Sequence, residues 1–496
     1  MEVQLLAMKR YLLGIDLGSG SVKLTLLEKE GNIVATGGCE YPTIYPFVGG
    51  AEQMPRSWRN SLHKGILQLL QSSGVKAEEI AAIAPDAATH TAVLLDMNYE
   101  PVGNAILWTD QRSVSEVELL KENYLDIIRE QTLNTPTTVW TLPQLMWIRK
   151  NRPELWSNTR HILFAKDYLR FCLTGTLGTD SIDAMGSMFY DVLKGCWSKT
   201  LCKIAQIPME WLPAIYEPTD LAGTVTREAA QEFGLCEGTP VYIGTTDTAL
   251  EQLAAGSVES GHGTVKLATA GRICVISEKV HPSPFLFNYM HVVPGLYYPG
   301  TATSSCAASY RWFREALGKE PYGNLDEKAE RIEAGSEGLM FHPYLQGELT
   351  PYNDPGLRAS FVGINSRHTK AHFTRAVLEG VAFSLRDCID TLEKEELRMK
   401  RARIIGGGAR SPFWRQIVAD VLGMTLEKAK VDDSSFGAAM LAGVGIGWFP
   451  DFKDAARCCV EVETVTYPVM DRHRVYEKQF ELYRQIHDAL APLYHR

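Results

Sequence analysis

YLLGIDLGSGSVKLTLLEKEG, residues 11–31, places a glycine and serine turn between two apolar runs. After Gly20 the chain reads Ser21-Val22-Lys23-Leu24-Thr25-Leu26-Leu27, where apolar residues alternate with Ser, Lys and Thr at the two-residue period of a half-buried strand. Tyr11-Leu12-Leu13-Gly14-Ile15 is a short apolar strand before the turn, and Glu28 to Asn32 leads into a third strand, Ile33-Val34-Ala35. A strand and not a helix therefore follows the glycines. That excludes both the P-loop, G-x-x-x-x-G-K-[ST], and the dinucleotide fingerprint, G-x-G-x-x-G, because each opens a helix. What is left is a hairpin meander with Asp16 at its first tip. Gly18-Ser19-Gly20-Ser21 can aim several backbone N–H groups at an anion, since glycine reaches positive φ at little steric cost. A carboxylate beside such a nest repels phosphate unless a divalent cation lies between them, and Mg²⁺ is held by one or two carboxylates plus phosphate oxygens. A plain glycine-rich hairpin with a capping Asp satisfies the same pattern.

The 496 residues exceed what one hydrophobic core holds, so two domains are expected. A hydrophobic share of 45% and a charged share of 22% are those of a soluble globular chain. The net charge of −9, without a basic stripe, argues against a nucleic-acid partner. Ten cysteines lie scattered with no C-x-x-C, and no H-E-x-x-H or Cys/His cluster suggests zinc, which fits a reducing cytoplasm. MEVQLLAMKR at the N-terminus lacks the apolar core of a signal peptide. The longest membrane candidate, Gly437 to Pro450, is glycine-rich and shorter than the roughly 18 residues of a span.

From residue 56 helical and strand-like runs alternate, which argues for an α/β fold. Trp58 to Leu70 has helical spacing, Ile80 to Ile83 and Ala92 to Leu95 read as buried strands, and 113–131 is an amphipathic helix. Leu142 to Arg149 and Pro153 to Leu169 read as further helices. Near residue 240 the pattern recurs: VKLATA at 265–270 echoes VKLTLL at 22–27, where a second domain is expected to begin. Two halves, each opening with a glycine-containing hairpin, would face each other across a ligand cleft. A third glycine cluster, Gly406-Gly407-Gly408-Ala409, stands between a strand and the helical Phe413 to Leu422, an order suited to a ligand at a helix N-terminus or to a plain connection. Thr248 with Glu251 forms a capping box, so a helix is expected to start there. Asp247 beside it either complements that helix's dipole or serves as a base at the cleft.

Several blocks, in order, resemble the FGGY carbohydrate kinases, and among these the xylulokinases most. They are Gly14 to Lys23, Ile106-Leu107-Trp108-Thr109-Asp110-Gln111-Arg112, Ala165-Lys166-Asp167-Tyr168-Leu169-Arg170, Asp180-Ser181-Ile182-Asp183-Ala184, Gly363 to Glu379 and Gly406 to Trp414. The resemblance covers about residues 11–448 and implies two actin-like, ribonuclease H-like domains with ATP between them, expected here as residues 1–242 and 243–496. It places Asp247 as general base and Asp16 as the Mg²⁺ residue. Phosphate contacts fall to Gly18, Ser19, Gly20 and Ser21, with Thr269 and Gly271 from a second loop, and adenosine to Gly407, Gly408 and Ala409.

The sugar positions implied are Thr89, His90, Trp108, Asp110, Asp247 and Thr248. Several depart from the family pattern. Q-M-H-G is here Ala88-Thr89-His90-Thr91, the Asn after the base is Thr248, and G-E-R-T-P is Gly347-Glu348-Leu349-Thr350-Pro351. P-K-L-L-W is Pro143-Gln144-Leu145-Met146-Trp147, and G-T-S-G is Ala268-Thr269-Ala270-Gly271. His90 and Trp108 could equally be structural, and Asp110 could bind sugar or simply pair with Arg112. The activity implied is an ATP- and Mg²⁺-dependent transfer to a terminal hydroxyl of a ketopentose, D-xylulose to D-xylulose 5-phosphate. The alternatives are an FGGY kinase for ribulose, a deoxy-ketose, gluconate or a signal sugar, and a non-catalytic actin-like regulator. A small sugar and ATP are the expected partners, with neither nucleic acid nor membrane; a homodimer is left open.

Overall fold

The computed structural model describes residues 9–495, so most of the N-terminal stretch discussed above, residues 1–8, lies outside the described residues. The chain divides into two compact units. Unit 1 comprises residues up to Val258 together with Asn288–Tyr297 and Asp433–Val460, and unit 2 comprises Glu259–Phe287, Tyr298–Asp432 and Glu461 onward. The boundary expected after residue 242 thus falls at Val258/Glu259, and two later segments return to unit 1.

The opening meander forms as its alternation dictates: β1 (Tyr11–Leu17), β2 (Ser21–Glu28) and β3 (Ile33–Glu40) are antiparallel neighbours. β4 (Ile80–Ala87) runs parallel to β1, with every residue buried. Beyond it come β5 (Leu221–Thr224) and β6 (Pro240–Tyr242), while β7 (Thr245–Thr246) also pairs with β4. The order is β5-β6-β4-β1-β2-β3. Helix Pro55–Ser73 covers this sheet through Trp58, Leu62, Ile66 and Leu69, in a core with Ile15, Leu24 and Leu26.

β4 continues through Pro85 to Ala87, four residues past the expected end at Ile83. A central strand normally rejects proline because a ladder donor is lost. Here the neighbouring strand is itself interrupted between β6 and β7. The N–H groups of Ile243 and Gly244 donate instead to Asp220 O and Pro218 O, and Gly244 has φ +74, with no room for a Cβ beside Pro85 O.

Unit 2 repeats the plan. β8 (His262–Leu267) pairs antiparallel with β9 (Gly271–Val275), and β9 with β10 (Gly300–Thr303). On the other side β8 runs parallel to β11 (Arg401–Ile405), which is parallel to β12 (Leu426–Ala429); β13 (Val462–Thr466) closes the edge antiparallel. The order β10-β9-β8-β11-β12-β13 has the same strand directions as β3-β2-β1-β4-β6-β5. β8 is therefore the counterpart of β1, so the echo of VKLATA with VKLTLL pairs a first strand and its turn with a second strand. The hairpin turns 18–20 and 268–270 correspond; the echoing letters do not.

Two further expectations change. The run from Pro153 to Leu169 is broken: helix Pro153–Asn158, strand His161–Phe164, then helix Ala165–Thr174. The glycine-rich membrane candidate is the buried helix Ser434–Gly445, whose small residues let it press on β1. A Cβ at Gly14 would overlap Ser435 O, and one at Gly437 would overlap Leu250 O. Among the described residues no helix is long and apolar enough to cross a membrane.

Candidate functional site

Strand register builds the site in unit 1. Asp16 of β1 is the direct partner of Asp86 in β4, and Asp86 in turn is the partner of Thr245 in β7. Residues paired across neighbouring strands project to one face, so these three side chains share a side of the sheet. Asp247 follows two residues after Thr245, as the first residue of helix Asp247–Ala254. Thr246, and not Thr248, is the N-cap, and it makes no side-chain cap bond. Thr248 donates to Asp247 Oδ1 through its N–H (2.5 Å) and its hydroxyl (3.1 Å), which orients the carboxylate. Asp247 belongs to unit 1, not to the second domain where it was expected.

Asp16 is 2% exposed and Asp86 wholly buried. Lys23, cross-strand from Asp16, bridges Asp16 Oδ2 at 3.1 Å and Asp433 Oδ2 at 2.9 Å. Burial lifts the Asp16 carboxyl above its ordinary value against the pull of Lys23. Burial, followed by the charges of Asp16 and Asp247, raises Asp86 well above the carboxylate range. Asp433 caps helix Ser434–Gly445 by accepting from Ser435 N, and Thr25 Oγ1 meets Ser435 Oγ at 2.7 Å.

The turn at 18–21 is held by its carbonyls. Ser21 O accepts from Gly18 N, Gly18 O from the Tyr41 hydroxyl, Gly20 O from Tyr41 N, and Ser19 O from Gln53 Nε2, which leads on to buried Trp58. Among the described residues the N–H groups of Ser19 and Gly20 donate to no backbone carbonyl outside the regular ladders, and both residues are exposed. Neither Gly18 nor Gly20 adopts positive φ, so the expected left-handed nest is absent. Gly20 instead leaves open space, with nothing within 4 Å of a Cβ there.

A buried ionic cluster supports β7. Thr245 Oγ1 donates to Asp180 Oδ2 (2.7 Å), and Asp180 pairs with Lys166 at 2.9 Å. Lys166 also reaches Asp167 (2.6 Å) and Asp183 (3.4 Å), and all four side chains are essentially buried. Burial works against the ammonium, yet the three carboxylates hold its pKa above the ordinary value. Lys166 inside the apolar run Ile162 to Leu169 was the available signal for such a cluster, because a lysine is buried only when paired.

The implied sugar residues divide. A pocket of unit 1 joins Gly18, Ser19 and Gln53 to Thr91 and Trp108, and Trp108 is 37% exposed at its rim. His90 is buried, with Nδ1 2.6 Å from Gly186 O and Nε2 3.1 Å from the Tyr289 hydroxyl, and it meets the Trp140 ring edge-on. Thr89 packs over Gly186, where no Cβ fits. Asp110 and Arg112 do pair: Arg112 binds both oxygens of Asp110 at 2.7–2.8 Å, Ala51 N takes one of them as well, and Glu52 holds the guanidinium at 2.7 Å. That leaves Asp110 tied to its own protein. Tyr289 was not foreseen. Its segment joins unit 1 through a reciprocal amide pair, Asn134 Nδ2 to Asn288 O (2.9 Å) and Asn288 N to Asn134 Oδ1 (2.8 Å), which no local pattern announces.

In unit 2 the carbonyls of Ala268 and Thr269 accept from the N–H groups that open helix Ala307–Ala316. Gly271 is demanded by packing, since a Cβ would lie 2.5 Å from Thr303 Cγ2 and 3.0 Å from Leu385 Cδ2. Gly408 likewise abuts the Trp414 ring and Leu267, and Ala409 is buried, whereas Gly407 faces open space. Gly406 N donates to Asp432 Oδ2 at 2.7 Å, fixing the turn.

A duplicated sheet of this order is the actin-like α/β architecture, and in one copy carboxylates gather at the strand ends. The chain belongs to the FGGY family of carbohydrate kinases: residues 11–254 match the family's N-terminal domain and residues 260–446 its C-terminal domain. It is therefore a sugar phosphotransferase. The chain is 32% identical over 491 residues to the xylulose kinase of Lactococcus lactis, covering 98% of each. Ligand-bound xylulose kinase from Lactobacillus acidophilus superimposes with a TM-score of 0.91 at 28% identity, over 98% of this chain and 99% of that one. A gluconate kinase from the same organism gives 0.91 at 29%, with the same coverage.

Proposed function

We propose that the chain transfers the γ-phosphoryl group of ATP to a terminal hydroxyl of a ketopentose, converting D-xylulose to D-xylulose 5-phosphate. The observation that carries this reading is the convergence, through one ladder register, of Asp16, Asp86 and the Thr245–Asp247 segment beside a turn whose Ser19 and Gly20 are exposed. The likeness to the Lactococcus xylulose kinase supports the choice of sugar.

Asp247 accepts the proton of the sugar hydroxyl as that oxygen attacks the γ-phosphorus in line, with Thr248 holding the carboxylate in place. Ser19 and Gly20 meet phosphate oxygens through their N–H groups, and Gly407 offers open backbone to adenosine. Apart from each other, buried Asp16 Oδ1 and both Asp86 oxygens have no hydrogen-bond partner, a donor set that fits a hard divalent cation, with Asp16 as the residue that would hold Mg²⁺. When bound, the ion neutralises phosphate charge. Trp108 at the pocket rim presents a ring face to the sugar. His90 is buried outside that pocket's lining, with Nε2 3.1 Å from the Tyr289 hydroxyl.

A second reading, a kinase for another polyol such as gluconate, has support from the gluconate kinase match and from the departures at Ala88, Thr89, Thr91, Thr248 and Leu349. ADP release across a panel of ketoses, alditols and aldonates separates the two. Release with D-xylulose above all others is expected. Release led by an aldonate would move the assignment to the second reading, and none with any compound would remove the enzyme from this substrate class.

A further inference from the structure

Asp86 is the residue of unit 1 whose presence the fold does not require. At the matching register of unit 2, where Lys266 of β8 occupies the place of Asp16 in β1, the partner in β11 is Ile405. An apolar side chain satisfies this central-strand position, as expected for a site buried from both sides. Unit 1 places a carboxyl there at zero exposure. Apart from the neighbouring Asp16 carboxyl, neither Asp86 oxygen has a hydrogen-bond partner, and Asp16 Oδ1 is in the same condition. The nearby cation does not answer it, because Lys23 is engaged with Asp16 Oδ2 and Asp433 Oδ2. Buried polar atoms without partners are exceptions that call for a ligand or ion.

We propose that Asp86 is a second carboxylate ligand of the divalent cation, beside Asp16. Mg²⁺ takes one or two carboxylates from protein while phosphate and water complete its octahedron. Among the described residues no three acidic, His or Cys side chains form a complete cage, so water and phosphate supply the remaining ligands. The register sets the two residues side by side: Asp16 and Asp86 are direct partners in the parallel β1–β4 ladder, so both side chains leave the sheet on one face. The inference rests on the kinase reading only in that the cation accompanies the nucleotide.

Mn²⁺ binding, followed by electron paramagnetic resonance with and without ADP, tests it independently of turnover. Asp86→Asn is expected to weaken Mn²⁺ by roughly 10- to 100-fold, the span typical for residues that orient or ligate a bound metal. The rise in melting temperature that Mn²⁺ gives the native protein is expected to disappear with it. Asp86→Ser is expected to behave alike, which guards against a folding defect peculiar to one side chain. An Asp86→Asn protein that binds Mn²⁺ as tightly as the native chain would overturn the assignment and leave Asp86 as a carboxyl that only shares a proton with Asp16. Absence of Mn²⁺ binding by the native protein in the presence of ADP would overturn it as well. Asp86-dependent Mn²⁺ binding without ADP release from any sugar would remove the kinase reading and keep this one; the reverse pattern would do the opposite.

Discussion

The two sheets share strand order and directions but carry opposite charge at one register. In unit 1 Asp16 stands across from Lys23 and beside Asp86; in unit 2 Lys266 stands across from Arg272 and beside Ile405. The hairpin turns differ too. The first leaves Ser19 and Gly20 exposed, while the second spends its carbonyls on the start of a helix and packs Gly271 against Thr303 and Leu385. Topology therefore fixes where a strand ends and a turn begins, and the side chains set at that place decide the chemistry. At this register unit 1 carries two buried carboxylates beside a lysine, and unit 2 has basic residues at the corresponding place.

The comparison can be attacked at its strongest point first. Lys166→Met would remove the lysine shared by buried Asp167, Asp180 and Asp183, leaving Arg170 3.5 Å from Asp167, and losing one partner of a buried ionic cluster costs about 3–5 kcal/mol. A large fall in the urea midpoint of the unfolding transition is expected; an unchanged midpoint would mean that the acid-rich half does not depend on its buried lysine. The two hairpins give the next contrast. Gly271→Ala forces a methyl against Thr303 and is expected to destabilise by about 1–3 kcal/mol. Gly20→Ala meets open space and is expected to stay within about 0.5 kcal/mol. The same Gly20→Ala should nonetheless raise the KM for ATP, because its methyl intrudes where phosphate approaches. Equal stability losses at the two glycines would erase the distinction between a packing turn and a ligand turn.

Much of this was legible in the letters. Alternation at 21–27 announced the meander, and the rejection of helix-opening phosphate motifs pointed to a hairpin turn, although the left-handed nest expected of its glycines is absent. Asp247 and Asp16 were singled out, the first on the expectation that it lay in the second domain. Asp86, which was missed, lies beyond the strand expected over Ile80 to Ile83; the strand runs on through Pro85, where the partner strand, remote in sequence, is interrupted between β6 and β7. Tyr289 was missed for a similar reason, since Asn134 and Asn288 join segments 154 residues apart. The helix-like run before Leu169 conceals a four-residue strand, His161–Phe164, because a short apolar stretch has no distinguishing period.

The central claim is that Asp247 removes the proton from the sugar hydroxyl. Turnover of Asp247→Asn, measured as ADP release with the best sugar of the panel beside nucleotide affinity, tests it most directly. A loss of roughly 10²-fold or more in kcat with ATP binding near that of the native protein is predicted. Turnover within a fewfold of the native rate would contradict it.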